Sequence, residues 1–195
     1  MIVFSDFESG AIDLINWDNG ILRVSLTMNQ RGEVNHWFYF GVKESPQDMT
    51  IVFENGMLSR FAKGWHGYRP FISVDNIKWE RCNSVFDIKG MTISIILHNL
   101  PENFFLAWFP PCVPQQFKEY SGLSDYINQV GNEKGMSVFI TARQHPGETM
   151  GSFVIEGLYD FIKSADAGVL LSKYNFIIVP FVNIDGVIKG MHRTS

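Results

Sequence analysis

Val138-Phe139-Ile140-Thr141-Ala142-Arg143-Gln144-His145-Pro146-Gly147-Glu148-Thr149 carries the strongest fold signal in the chain. A short apolar run of the buried-strand type ends in a proline and glycine turn, and helical spacing begins immediately after it. The helix is expected from about Thr149 to Lys163, with Met150, Phe153, Val154, Gly157, Leu158 and Phe161 as its inward stripe. A second apolar run, Phe176-Ile177-Ile178-Val179-Pro180-Phe181-Val182, follows and stops at Asn183-Ile184-Asp185-Gly186, which reads as a tight turn with positive φ at the glycine. Strand, helix and strand make a βαβ unit, and such units build parallel sheets with a right-handed crossover.

Upstream the grammar is different. From about Leu22 to Phe109 short aromatic and β-branched runs alternate with Asn, Gly, Asp and Pro, among them His36 to Val42, Thr50 to Phe53, Phe71 to Val74, Thr92 to Leu97 and Phe104 to Phe109. Several alternate apolar with polar residues, as half-buried strands do, and no long helical period separates them. This predicts an N-terminal antiparallel β-sandwich. Pro110, Pro111 and Pro114 cannot continue a hydrogen-bonded ladder, and Phe117, Tyr120, Leu123 and Ile127 then carry a weak helical pattern. The expected chain is therefore α+β in two parts: a β-sandwich over 1–115, a helical connection over 116–134, and a partial α/β unit over 135–195.

Composition narrows the function. The 195 residues are 46% apolar and 18% charged with a formal net charge of -4, enough for a sizeable core and unsuited to broad nucleic-acid binding. The first residues, Met1 to Glu8, lack a secretion signal, and nowhere do 18 apolar residues run together, so a soluble cytoplasmic protein away from membranes is expected. Cys82 and Cys112 fit neither a zinc ribbon nor a disulfide framework and read as two reduced thiols.

Candidate chemistry gathers where both apolar strands end, the usual place for ligands in α/β proteins. His145 offers an imidazole nitrogen and Glu148 a carboxylate three residues on, so the two can converge on one small cation across the turn fixed by Pro146 and Gly147. By itself H-x-x-E is a weak pattern; its place at the tip of a buried strand strengthens it. Arg193 could polarise a carbonyl or bind a carboxylate with two hydrogen bonds. His192 is a possible substitute ligand, whereas His36, His66 and His98 read as structural or surface residues of the β-rich part.

Ala142-Arg143-Gln144-His145-Pro146-Gly147-Glu148-Thr149 resembles the first zinc motif of the cytosolic carboxypeptidases, the M14 branch whose eukaryotic members trim glutamates from acidic protein tails. Asn183-Ile184-Asp185-Gly186 and Arg193-Thr194-Ser195 are similar to its next motif, with Ile184 where the family has proline. The front half resembles the family's N-terminal β-domain through Asp6 to Gly10, Trp37 to Phe40 and Trp79 to Arg81. The resemblance implies a zinc metallocarboxypeptidase acting on a peptide or protein C-terminal tail, with His145 and Glu148 as metal ligands and Arg193 polarising the scissile carbonyl. It also implies that these 195 residues stop short of the third zinc ligand and the catalytic glutamate, and that two strands before Ser137 are missing. Zinc is then expected to bind weakly or not at all to the chain alone, without activity. The alternative is a non-enzymatic β-sandwich module that binds a protein partner and carries a vestigial carboxypeptidase segment.

Overall fold

A computed structural model describes residues 1–121 and 126–193, the side chains of 84, 86 and 119–121 apart; Leu123, the Tyr120 side chain, Thr194 and Ser195 lie outside what is described. Ten strands come first: β1 (Ile2–Phe4), β2 (Asp13–Asp18), β3 (Ile21–Ser25), β4 (Tyr39–Lys43), β5 (Met49–Phe53), β6 (Phe71–Ser73), β7 (Glu80–Arg81), β8 (Ser84–Lys89), β9 (Thr92–Leu97) and β10 (Phe104–Ala107). They form two five-stranded sheets, ordered β1-β4-β10-β6-β7 and β2-β3-β5-β9-β8.

Alternation decides which faces meet. In β9 Ile93, Ile95 and Leu97 are buried while the residues between them are half-exposed, and β3 buries Leu22 and Val24 in the same way. These side chains share one core with Phe40, Val42, Phe104 and Leu106 of the other sheet, and the rings of Phe38 and Phe53 meet across it at 4.9 Å. The turn between β2 and β3 is Asn19-Gly20, both with positive φ as a tight hairpin on right-twisted strands requires. The sandwich expected from the sequence is present, with one departure: β3 and β5 pair in parallel. That is possible because β4, which lies between them in the chain, belongs to the opposite sheet.

The remainder comprises α1 (Pro114–Ser121), β11 (Asn128–Gly131), β12 (Met136–Thr141), α2 (Met150–Lys163), α3 (Gly168–Lys173), β13 (Tyr174–Val179) and α4 (Ile184–Ile188). β12 and β13 are parallel, as a βαβ unit demands, and β11 adds an antiparallel strand on the other side of β13. The two-strand sheet read from the sequence thus has a third member, drawn from residues expected to be connection. Phe117 of α1 is fully buried against Tyr159 and Phe181, so this segment packs with the second core.

The inward stripe of α2 differs from the one that spacing predicts. Ser152, Ile155 and Tyr159 face the sheet, whereas Met150, Phe153, Gly157 and Phe161 are exposed, Val154 is 70% exposed and Leu158 only half-buried. The helix carries apolar residues on two sides, and period alone does not choose between them. Partners on neighbouring elements choose: Ser152 Oγ accepts from Arg143 Nη1 at 2.8 Å, and Tyr159 Oη accepts from Asn128 Nδ2 at 2.8 Å. With α2 on one face, the other face of the sheet is poorly covered: Phe139 is 66% exposed, and Ile177 and Val179 are half-buried. Asn183-Ile184-Asp185-Gly186 also differs from its reading as a tight turn. Gly186 sits within α4 with ordinary helical φ, and Asn183 is the cap whose Oδ1 accepts from Gly186 N at 3.1 Å.

Candidate metal centre

β12 delivers the chain to a turn organised by a buried cation. Arg143 has φ of 57° and is 3% exposed; its Nε donates to Pro146 O at 2.8 Å, Nη2 donates to the same carbonyl, and Nη1 donates to Cys112 O at 2.8 Å. Its planar guanidinium also lies over the Phe181 ring, 5.5 Å from the centroid. Burial pushes its pKa down to about 10, which leaves it charged at neutral pH. Arg143 thereby fixes the carbonyl midway between His145 and Glu148. Sequence alone assigns this arginine no role, because nothing local says that a guanidinium will turn inward.

Within that turn His145 Nδ1 stands 3.1 Å from Glu148 Oε2, and Arg193 Nη2 donates to Glu148 Oε1 at 2.9 Å. Arg193 Nη2 is also 3.3 Å from His145 Nδ1. All three residues singled out in the sequence therefore converge, and all are open to solvent over roughly half of each side chain. Partial burial raises the Glu148 pKa, but hydrogen bonds from His145 and Arg193 outweigh it and hold the carboxyl below its usual range. A cleft of about 290 Å³ opens beside them, lined by Thr141, Gln144, Met150 and Val154 among others. A larger cleft, near 740 Å³, lies in the β-rich part beside Trp79, Arg81 and His98 and contains none of these groups.

The loop after α4 closes the other side. Gly147 N donates to His192 O at 2.8 Å, and a Cβ on Gly147 would come within 2.5 Å of the His192 ring, so only glycine admits this approach. Burial lowers the His192 pKa to about 4 against the opposing pull of Glu148, with Arg193 and His145 adding to the fall. Its ring centroid lies 5.5 Å from that of His36, a fully buried residue of the first core region. Ser59 Oγ donates to Gly56 O and accepts from Trp65 Nε1, so its remaining bond, at 2.7 Å, takes the proton of His36 Nδ1. His36 Nε2 is then a bare acceptor without a partner among the described residues, and burial followed by the proximity of His192 brings its pKa to about 3.

Among the described residues no group of three or more His, Cys, Asp and Glu side chains is placed to hold a metal. Both cysteines are free and buried, with pKa values pushed up to about 12 by burial. No helix among the described residues is long and apolar enough to cross a membrane.

Comparison with known proteins agrees with this layout. A family profile described as cytosolic carboxypeptidase N-terminal domain matches residues 3–109, and one described as zinc carboxypeptidase matches residues 119–194. Cytosolic carboxypeptidase 2 of Xenopus tropicalis is 44% identical over 98% of this chain and 25% of its own length; cytosolic carboxypeptidase 3 of Bos taurus is 44% identical over 82% and 21%. The crystal structure of a metallo-carboxypeptidase from Burkholderia cenocepacia superposes with a TM-score of 0.87 at 26% identity, covering 100% of this chain and 59% of that one. Fold and matches place the chain among proteins of the zinc carboxypeptidase class. More narrowly, the chain belongs to the cytosolic carboxypeptidase family. It spans about a quarter of the length of the Xenopus relative and part of the catalytic domain.

Proposed function

We propose that this chain supplies the front of a zinc carboxypeptidase site, in which His145 and Glu148 are two of the metal ligands and Arg193 holds negative charge as it develops on the scissile carbonyl. The observation that carries the reading is the approach of His145 Nδ1 to Glu148 Oε2, 3.1 Å apart at the carboxyl end of β12. Imidazole nitrogen and carboxylate oxygen are donors that zinc takes readily. The present contacts also compete: Nδ1 with its proton serves Glu148, and Nδ1 without it serves Arg193, but it cannot serve both. His145 and Glu148 would hold a divalent cation through lone pairs, and the competition for the Nδ1 proton would then end. When bound, zinc supplies a Lewis acid and a more acidic water. A guanidinium presents donors and no acceptor, so Arg193 can stabilise an oxyanion but cannot take a proton from water.

The substrate class that follows is the C-terminal peptide bond of a peptide or protein, glutamate-rich tails included, and the setting is the cytoplasm. The division into 1–115, 116–134 and 135–195 belongs to the same proposal. With two protein donors among the described residues, zinc would be held mainly by solvent, and the base, which typically contributes ~10²–10⁴-fold in rate, is left unassigned.

The test is zinc titration by calorimetry followed by a release assay on peptides ending in glutamate or other residues, with a His145→Ala, Glu148→Ala double variant alongside. Weak uptake that the double variant loses, without release, is the expected result. Uptake that survives the double variant would move the metal elsewhere, and turnover abolished by it would show that the site is complete.

A further inference from the structure

The segment that carries Arg193 is gripped from the far end of the chain. Asn35 Nδ2 donates to Gly190 O at 2.7 Å and Asn35 Oδ1 accepts from His192 N at 2.7 Å, so one carboxamide bonds the backbone on both sides of Met191. The amide orientation is fixed, because the reverse would set two donors and two acceptors against each other. Asn35 is 5% exposed, and its own backbone N donates to Thr27 O at 2.8 Å. Ser9 N adds a bond to Ile188 O at 2.8 Å. Gly190 has φ of 65°, and a Cβ there would stand 2.7 Å from Ser9 O, so the segment lies directly on the β-domain. On its opposite side His192 O takes the Gly147 N–H from the turn between His145 and Glu148. The backbone of 190–192 is thus held between Asn35 and that turn, and the next residue sends its guanidinium to Glu148.

We propose that Asn35 is a positioning residue of the candidate site: its two hydrogen bonds fix the 190–192 backbone and through it the place of Arg193 against Glu148. The β-domain then sets the geometry of a site whose candidate ligands all lie on the other part of the chain. The importance of this for catalysis rests on the zinc carboxypeptidase reading; the positioning itself does not. Removing the carboxamide strands the Gly190 carbonyl and the His192 N–H and takes away both bonds that flank Met191; the Gly147 bond to His192 O and the exposed ion pair of Arg193 remain, and the ion pair is too weak to immobilise a long side chain.

The experiment uses the full 195-residue chain without metal. Side-chain nitrogen relaxation of the Arg193 Nε–H group is measured in the native protein, in Asn35→Ala and in the isosteric Asn35→Asp, which keeps the acceptor but turns an oxygen toward Gly190 O. Wild type is expected near rigid values, with an order parameter of about 0.8, and both variants below about 0.6 while the rest of the spectrum stays folded. An Arg193 as ordered in folded Asn35→Asp as in wild type overturns the proposal, since a residue that merely filled space would leave it so. Hydrogen exchange of the His192 amide in the unmodified chain gives a second reading that needs no variant: slow exchange is expected, and exchange at the rate of an open loop refutes the grip. Zinc calorimetry on the wild-type chain and on the His145→Ala, Glu148→Ala double variant separates the two claims. Zinc uptake that survives the double variant, beside an Arg193 that both Asn35 variants loosen, sinks the assignment of the metal ligands and leaves this one standing.

Discussion

Arg193 reaches back 45 residues along the chain to place its Nη2 2.9 Å from Glu148 Oε1. Both side chains are partly in solvent, so the pair contributes on the order of 0–1 kcal/mol to stability. Its effect should be seen in titration instead. Arg193→Ala should raise the Glu148 pKa toward the ordinary carboxylate value, because one of the hydrogen bonds that hold it down is removed. Carbon NMR of the Glu148 carboxyl across pH 2 to 7 measures this, and an unmoved midpoint would show that His145 alone accounts for the shift.

His36 makes the fold acid-sensitive. Its folded pKa, about 3, lies below the ordinary histidine value of 6.5, so the unfolded chain binds more protons between those values and stability rises with pH through that window. The contribution is complete above about pH 6.5 and falls as pH drops, by about 3 kcal/mol at pH 4 on the scale of roughly 1.4 kcal/mol per unit. His192, brought to about 4, acts in the same direction. Denaturant unfolding at pH 7 and pH 4 should show the loss, and His36→Asn should shrink the difference even if it lowers stability at both pH values.

Arg143 should be the least replaceable of the motif's residues for folding. Arg143→Ala strands the Pro146 and Cys112 carbonyls and the Ser152 hydroxyl inside the protein, a cost of about 3 kcal/mol or more. Arg143→Lys should recover little of it, since an ammonium cannot span three partners that a planar fork reaches together. Thermal unfolding of both variants decides the point; a lysine variant as stable as wild type would mean that charge, not shape, matters there.

The exposed face around Phe139 should make the isolated chain associate. Phe139 of β12, beside the half-buried Ile177 and Val179 of β13, offers apolar surface of the kind that monomers seldom show. Sedimentation at rising concentration should reveal growing assemblies, reduced by Phe139→Lys. A monodisperse monomer throughout the range would contradict this.

Much of the fold was readable from local pattern. Ile93, Ile95 and Leu97 alternate cleanly, and Phe176 to Val179 form an uninterrupted apolar run, so the types of β9 and β13 follow from spacing. His145 and Glu148 were readable because both lie within one turn. What escaped was set by distant partners. Ser152 looks like a surface residue until Arg143 turns inward to meet it, and Gly186 looks like a turn until Asn183 caps a helix around it. Asn35 carries no local mark at all, because the groups it serves lie 155 and 157 residues away.

That separation bears on the order in which the molecule assembles. The bond from Asn35 to Gly190 closes a loop of 155 residues, and closing so long a loop costs entropy that only prior local structure can reduce. The hairpin of β2 and β3 and the βαβ unit can each form from neighbours, but the 190–192 backbone finds its seat only after both have taken shape. In refolding from denaturant, protection of the His192 amide should therefore arrive later than that of β9 or α2, making the candidate centre the last part of the chain to mature.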